Sequence, residues 1–179
     1  MTTVRTPLDT RSIFVELGSE DCELAVRRAI DAEHDWKNSA QPSMSNKLTG
    51  DEHLLSNISS YAAEIAVARC LDRAWNTDYT GRNGYDIYPN IEVRSTTPGR
   101  NLFIKDREVQ PGEYRKHPDS IYVLTYILSM FEIEIVGYTL LSEGLFKARE
   151  FNKNGVRGWI IDTHDLVTVG LLNKRHPVR

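Results

Sequence analysis

The chain has 179 residues, 40% of them hydrophobic and 26% charged, with a formal net charge of −3; this suits one globular domain able to bury a core without disulfide or metal staples, and excludes a disordered chain. Two cysteines, Cys22 and Cys70, lie beside apolar neighbours with no CxxC spacing, and read as small buried hydrophobes of a reducing compartment. The opening MTTVRTPLDTR has no apolar run and no stretch approaches the ~20 apolar residues of a membrane span, so a cytoplasmic protein with no membrane partner is expected.

Residues 1–11 read as a loose leader, followed by a short strand, SIFVEL, at 12–17. Ser19 is placed to cap a helix, and Glu20, Asp21 and Glu23 load its first turn with the negative charge a helix dipole favours. The helix is expected to run to about Trp36, with Cys22, Val26, Ala29 and Ile30 on its apolar side. NSAQPSMSNKLTGD (38–51) is a turn-rich loop. A longer helix then spans 52–75, where Leu54, Ile58, Tyr61, Ala62, Ile65, Ala68 and Leu71 recur at helical spacing. Its Ala-rich middle, YAAEIAVA, allows close approach to a sheet. Glu64 stands inside that run, beside the buried stripe, and taken alone is an exposed helix acid.

From residue 84 the period changes to two. YDIY, IEVRS, NLFIK, IYVLTYIL and FEIEIVGYTLL read as five strands, the last two central or nearly so. SEGLFKARE (142–150) is a short helix capped by Ser142, GWII (158–161) a last strand, and THDLVTVGLLNK (163–174) a closing helix capped by Thr163 or Asp165. This order predicts an α/β fold with a mixed central sheet flanked by helices. Residues 9–78 carry 13 acids against 7 bases, whereas residues 147–179 carry 7 bases against 3 acids. The basic extension over 142–179 is read first as a solvated surface and second as a seat for a phosphate backbone.

The segment GYDIYPNIEVRST (84–96) places Asp86, Glu92 and Arg94 in a strand-forming context. Alternation puts Glu92 and Arg94 on one face and Ile91, Val93 and Ser95 on the other. With Tyr88-Pro89-Asn90 as a three-residue hairpin loop, Ile87 pairs with Ile91 and Asp86 lies across from Glu92; a two-residue loop would set Asp86 across from Val93 instead. Directly opposed like charges destabilise a sheet. In the longer loop a divalent cation is the obvious compensation, since Mg²⁺ uses hard oxygen ligands from one or two carboxylates plus water.

Asp86-x5-Glu92-x-Arg94, preceded by a helix with the internal acid Glu64, resembles the PD-(D/E)xK nuclease superfamily, which shares the core of restriction endonucleases and several phage and recombination nucleases. The resemblance covers about residues 52–140. SSYAAEIAVARCL looks like the family's first core helix, YDI…IEVRST like its catalytic hairpin, and GWIIDTHDL is similar to a tail of phage-encoded members. It implies a restriction-endonuclease-like core and metal-dependent hydrolysis of phosphodiester bonds, in DNA before RNA. Asp86, Glu92 and the Val93 carbonyl would hold Mg²⁺ (or Mn²⁺), with Glu64 holding a metal-bound water or a second ion. The usual lysine is Arg94 here. Arginine stays protonated and cannot be the general base, though it can clamp a phosphate. Lys105, in NLFIKD, is one replacement; the metal acting alone is another, and lost catalysis a third. Arg82, in GRNG, is a candidate phosphate contact. Tyr85, with Tyr79 and Tyr88, is a candidate for base stacking, against the plainer reading of core tyrosines. Nucleases of this kind often act as homodimers, for which the helix at 20–36 is a possible interface.

Other chemistry has no support in the spacing: the five histidines form no zinc pattern, and neither GxxxxGK[ST], a strand-borne GxGxxG nor GxSxG occurs. Two alternatives stay open. One is a catalytically inactive nucleic-acid-binding or assembly module on the same fold; the other is an unrelated protein in which Asp86 and Arg94 simply pair at the surface.

Overall fold

A computed structural model describes residues 1–5, 12–38, 50–76, 84–112 and 115–172. The chain is α/β, and its main element is a mixed five-stranded sheet. In chain order it runs β1 (Thr3–Arg5), β2 (Ile13–Glu16), α1 (Ser19–Asn38), α2 (Gly50–Leu71), β3 (Ile91–Thr96), β4 (Leu102–Lys105), α3 (Asp106–Val109), β5 (Ile121–Ile127), β6 (Glu132–Leu140), α4 (Leu141–Lys147), β7 (Arg149–Lys153) and β8 (Val156–Ile161). The five strands lie in the order β1-β2-β6-β5-β3, with β3 parallel to β5 and the other pairs antiparallel. A second sheet, β4-β8-β7, is antiparallel throughout.

β5, IYVLTYI, is buried along nearly its whole length, as a strand covered on both faces should be. Ile121 and Val123 turn to α2, while Tyr122, Leu124 and Tyr126 pack with Leu102, Ile104 and Ile161 of the second sheet. α2 lies against β2, β3, β5 and β6, and α1 packs on α2. The alanines at 62, 63, 66 and 68 are all buried; their small side chains let the helix backbone approach the sheet. α2 stops at Leu71 rather than 75 because Asp72 takes a left-handed φ of 51° and Arg73 N–H turns back to the Ala68 carbonyl at 3.0 Å.

Several expectations are corrected. The leader is not loose at its start: residues 3–5 pair with β2, and the Thr2 hydroxyl donates to Asp21 at 2.5 Å. Residues 6–11 lie outside the described residues, as does most of the expected 38–51 loop. Ile30 is 52% exposed, because the buried stripe of α1 runs through Asp21, Ala25, Ala29 and Glu33. Ser19 is the first helical residue rather than the cap, since the Gly18 carbonyl accepts from Cys22 N–H at 3.0 Å. YDIY is not a strand; only Ile87 makes bridges, to Trp75 and Ile91.

The largest difference lies in 142–174. The helix ends at Lys147 without a Ser142 cap, and Arg149 opens β7. β7 and β8 form a hairpin around Asn154-Gly155, both at positive φ (53° and 77°); the Asn-Gly pair is the sequence signal for such a turn. The expected closing helix is two 3-10 turns, Thr163–Asp165 and Val169–Leu171, and neither has a side-chain cap. Leu166, Val169 and Leu172 are buried at intervals of three, which fits this tighter winding. Between the turns, Val167 bridges to Tyr138. Gly137 makes the approach possible: a Cβ there would lie 2.8 Å from Leu166 Cβ and 2.9 Å from the Val167 oxygen. Among the described residues no helix is long and apolar enough to cross a membrane.

Candidate active site

The turn before β3 takes the longer of the two loops. Ile87 N–H donates to the Ile91 carbonyl at 3.1 Å and Ile91 N–H returns the bond at 3.0 Å, closing Tyr88-Pro89-Asn90 between them. The ladder then stops. Asp86 leaves its place across from Glu92 and turns its carboxylate to the free edge of β3, where Oδ2 accepts the Val93 N–H at 2.7 Å. That bond satisfies a donor which an edge strand would otherwise leave without a partner.

Three acids thus straddle β3. Ile91 and Val93 face α2, so Glu64 approaches from the helix side, Asp86 stands at the edge, and Glu92 projects from the opposite face. Glu92 is 1% exposed. Its Oε1 lies 2.6 Å from Lys116 Nζ and its Oε2 3.2 Å from Arg94 Nη2. Arg94 also reaches Glu108 Oε1 at 2.7 Å and lies 5.3 Å from the Tyr122 ring centroid, while the Tyr122 hydroxyl donates to Glu108 Oε2 at 3.2 Å. Lys116 donates to the Gly84 carbonyl at 2.5 Å and sits 4.7 Å from the Tyr85 ring centre. Glu64 accepts from Trp75 Nε1 at 2.9 Å.

Burial and mutual repulsion set the protonation of these groups. Burial first, then the Asp86 charge, hold Glu64 well above the usual carboxylate range. Asp86 is raised by burial, against the opposing pull of Arg94, the Val93 N–H and Lys116. Glu92 is pushed up to about 7 by burial and then by Asp86. Burial works to lower Arg94, but Glu108, Glu92 and Asp86 outweigh it and raise it, so the guanidinium is permanently charged.

Glu64, Asp86, Glu92 and Arg94 therefore lie close enough to shift one another's protonation. Among the described residues, however, the set of three potential metal-ligand side chains with donor atoms within 4.8 Å of one another is Asp162, His164 and Asp165. The three acids around β3 are spread more widely, with Glu92 drawn onto its cations and Glu64 onto Trp75. The surface trio is already engaged: Asp162 accepts from Asn101 at 2.6 Å, and Asp165 has Lys147 at 3.6 Å and His164 at 3.5 Å. Among the described residues the Val93 carbonyl accepts a long bond from Arg94 Nη1, 3.4 Å.

Two expected positions lie outside the ion-pair network. Lys105 is on β4, the next strand in the chain, where it pairs with Gly158 in the second sheet and is exposed. Partial burial, then the charges of Arg94 and Arg107, lower its pKa against the pull of Glu108 and Glu92, and among the described residues it makes no ion pair with the acids. Tyr85 is engaged internally, through its hydroxyl to Ser120 Oγ at 3.1 Å and its ring to Lys116. Arg82 and Tyr79 lie outside the described residues. Sequence reasoning missed Glu108, Lys116, Trp75 and Tyr122. Glu108 follows the NLFIK strand and Lys116 sits in a polar loop, and no spacing links either to the hairpin. The clasp of Lys116 N–H on the Glu108 carbonyl at 2.9 Å brings them together.

Comparison with family models, with curated proteins and with solved structures finds no match to this chain.

Proposed function

We propose that the protein is a metal-dependent nuclease of the PD-(D/E)xK kind, with a restriction-endonuclease-like core, acting on DNA before RNA. The observation that carries this is a crowd of carboxyls: Glu64, Asp86, Glu92 and Glu108 gather around β3, Arg94 and Lys116 pair with Glu92 and Arg94 with Glu108, and Glu64, Asp86 and Glu92 are all raised by burial. A divalent cation fits the donor set, which is all hard oxygen. Asp86 and Glu92 would hold it with the Val93 carbonyl, and Glu64 would complete the shell. Bound there, Mg²⁺ or Mn²⁺ supplies a water of lowered pKa and offsets charge on the phosphate.

The chain's own residues divide the remaining work. Arg94 cannot accept a proton, so its part is to hold and orient a phosphate oxygen. Glu108 and Tyr122 fix its guanidinium for that task. Lys116 touches Glu92 directly, and lysine is the residue type that can serve in proton transfer where arginine cannot. Trp75 orients Glu64. Action as a homodimer belongs to the same proposal.

One observation favours the second reading, an inactive binding or assembly module: both Glu92 oxygens already face a cation. Cleavage of labelled single-stranded, duplex and branched DNA with Mg²⁺ or Mn²⁺ separates the two. The nuclease reading expects cutting that disappears in Asp86→Ala and Glu92→Ala. DNA that is bound but never cut would leave the module reading standing.

A further inference from the structure

The second sheet has a buried face and an open one. Leu102, Ile104 and Ile161 are fully buried, so alternation puts Phe103 and Lys105 of β4, Val156, Gly158 and Ile160 of β8, and Arg149, Phe151 and Lys153 of β7 on the other side. Register aligns them in rows: Phe103, Ile160 and Arg149 form one, and Lys105, Gly158 and Phe151 the next. The open face carries three cations and no acid, since Glu150 alternates away. Arg149 has only a loose neighbour in Asp162, at 3.7 Å.

At its centre the Phe103 and Phe151 rings meet edge to face, with centroids 5.6 Å apart and planes at 81°. Gly158 makes room for them: a Cβ there would lie 2.6 Å from Phe103 Cζ and 2.3 Å from the Ile104 oxygen. Beside the rings runs a groove of about 660 Å³, walled by Arg100, Arg149 and the Thr96-Thr97 turn. It adjoins the acid cluster. Thr96 follows Arg94 on the same face of β3, roughly 7 Å further along the strand, and Phe103 precedes Lys105 on the same face of β4.

Rings without charge would suit a protein partner, and cations without rings would suit any polyanion. Their combination is what an unpaired nucleic-acid strand requires, with charge for its phosphates and ring faces for bases that are not stacked in a duplex. We propose that this face binds a single strand of DNA, with its bases on Phe103 and Phe151 and its phosphates on Arg100, Arg149 and Lys153, and that it delivers an unpaired segment to the acid cluster. The proposal deepens the nuclease reading and rests on it for what happens to the strand once delivered.

The test is fluorescence anisotropy in EDTA, with labelled oligo-dT of about 20 nucleotides, longer than one ~4–16-nucleotide binding site, and a duplex of equal length. Oligo-dT is expected to bind more tightly than the duplex. Phe151→Ala and Phe103→Ala should each weaken it by roughly 5- to 150-fold, the range for losing one stacked base. Because Phe103 also seals the sheet, Lys153→Glu at the exposed hairpin end serves as a second probe; it should weaken binding and lower the salt slope by about 1. Equal oligo-dT affinity in wild type and all three variants overturns the proposal, as does tighter binding of the duplex. Self-association that Phe151→Ala abolishes, without oligo-dT binding, would assign the face to a second copy of the chain instead. The two readings fail separately. Cutting by wild type that the face variants leave unchanged sinks the strand-binding face alone. Oligo-dT binding by a protein that cuts nothing upholds the face and sinks the nuclease.

Discussion

Glu92 on β3 and Lys153 on β7 carry one charge each, in opposite surroundings. Glu92 is 1% exposed and its carboxyl is pushed up to about 7, so its charge depends on Lys116, Arg94 and whatever else enters the cluster. Lys153 stands in water at the end of a hairpin and makes no ion pair among the described residues. Charge in the first region is costly to keep and responds to protons and ions; charge in the second simply attracts. The proposed nuclease chemistry therefore belongs to the edge of the five-stranded sheet, and the proposed strand binding to the open face of the three-stranded one. Substitutions in the two regions should fail in different assays.

The sharpest separation comes from the acids. Asp86→Ala and Glu92→Ala are each expected to lower cleavage by at least about 10³-fold while oligo-dT binding in EDTA stays near wild type. Loss of both together would collapse the distinction. Lys116 tests the chemistry more finely. Lys116→Ala should reduce cleavage by about 10²-fold, and Lys116→Arg should keep the ion pair and the thermal midpoint without restoring the rate. Full activity in Lys116→Arg would reduce Lys116 to a structural partner.

The third expectation concerns pH. In metal-free protein the folded Glu92 value of about 7 lies above its ordinary 4.5, so the folded form keeps a proton over a range in which the unfolded form has lost it. This stabilisation is whole below about 4.5 and gone above about 7, amounting to as much as about 3 kcal/mol. The raised Glu64 and Asp86 act in the same sense. The thermal midpoint in EDTA should fall from pH 5 to pH 8, and Glu92→Gln should flatten the fall. A midpoint rising with pH would contradict the assigned shifts. The smallest effect belongs to the other region: Gly158→Ala should cost about 1–3 kcal/mol through overpacking against Phe103 and the Ile104 carbonyl. It should also weaken oligo-dT binding, leaving the acids' pH profile unchanged.

How much was legible follows from how local each signal is. α1, α2, β5 and β6 are long and periodic, and their patterns stand in the sequence. Both loop lengths could be written down from the sequence, and the reciprocal Ile87–Ile91 bonds select the three-residue one. YDIY looks like a strand, but beyond Ile87 it has no neighbour to pair with, and Asp86 turns its side chain to the Val93 N–H instead. The first two residues of β7, Arg149 and Glu150, continue a helical pattern in the sequence, although Asn154-Gly155 marks the hairpin. The 3-10 turns look like a helix in the sequence because spacings of three and four are alike over a few residues. Within the cluster, Asp86, Glu92 and Arg94 are close in the chain and could be found there. Glu108 and Lys116 come from α3 and the loop after it, held by a backbone clasp that no residue type announces.

The central claim is that the carboxyls gathered around β3 hold a divalent cation. Isothermal titration of Mn²⁺ into metal-free protein at pH 8, with Asp86→Asn and Glu92→Gln alongside, tests it most directly. The account predicts saturable binding by the wild type that is lost in both variants, with a matching rise in thermal midpoint. No binding, or equal binding by all three proteins, would mean that Asp86 and Glu92 hold no divalent cation and that, among the described residues, Arg94 and Lys116 balance their charge.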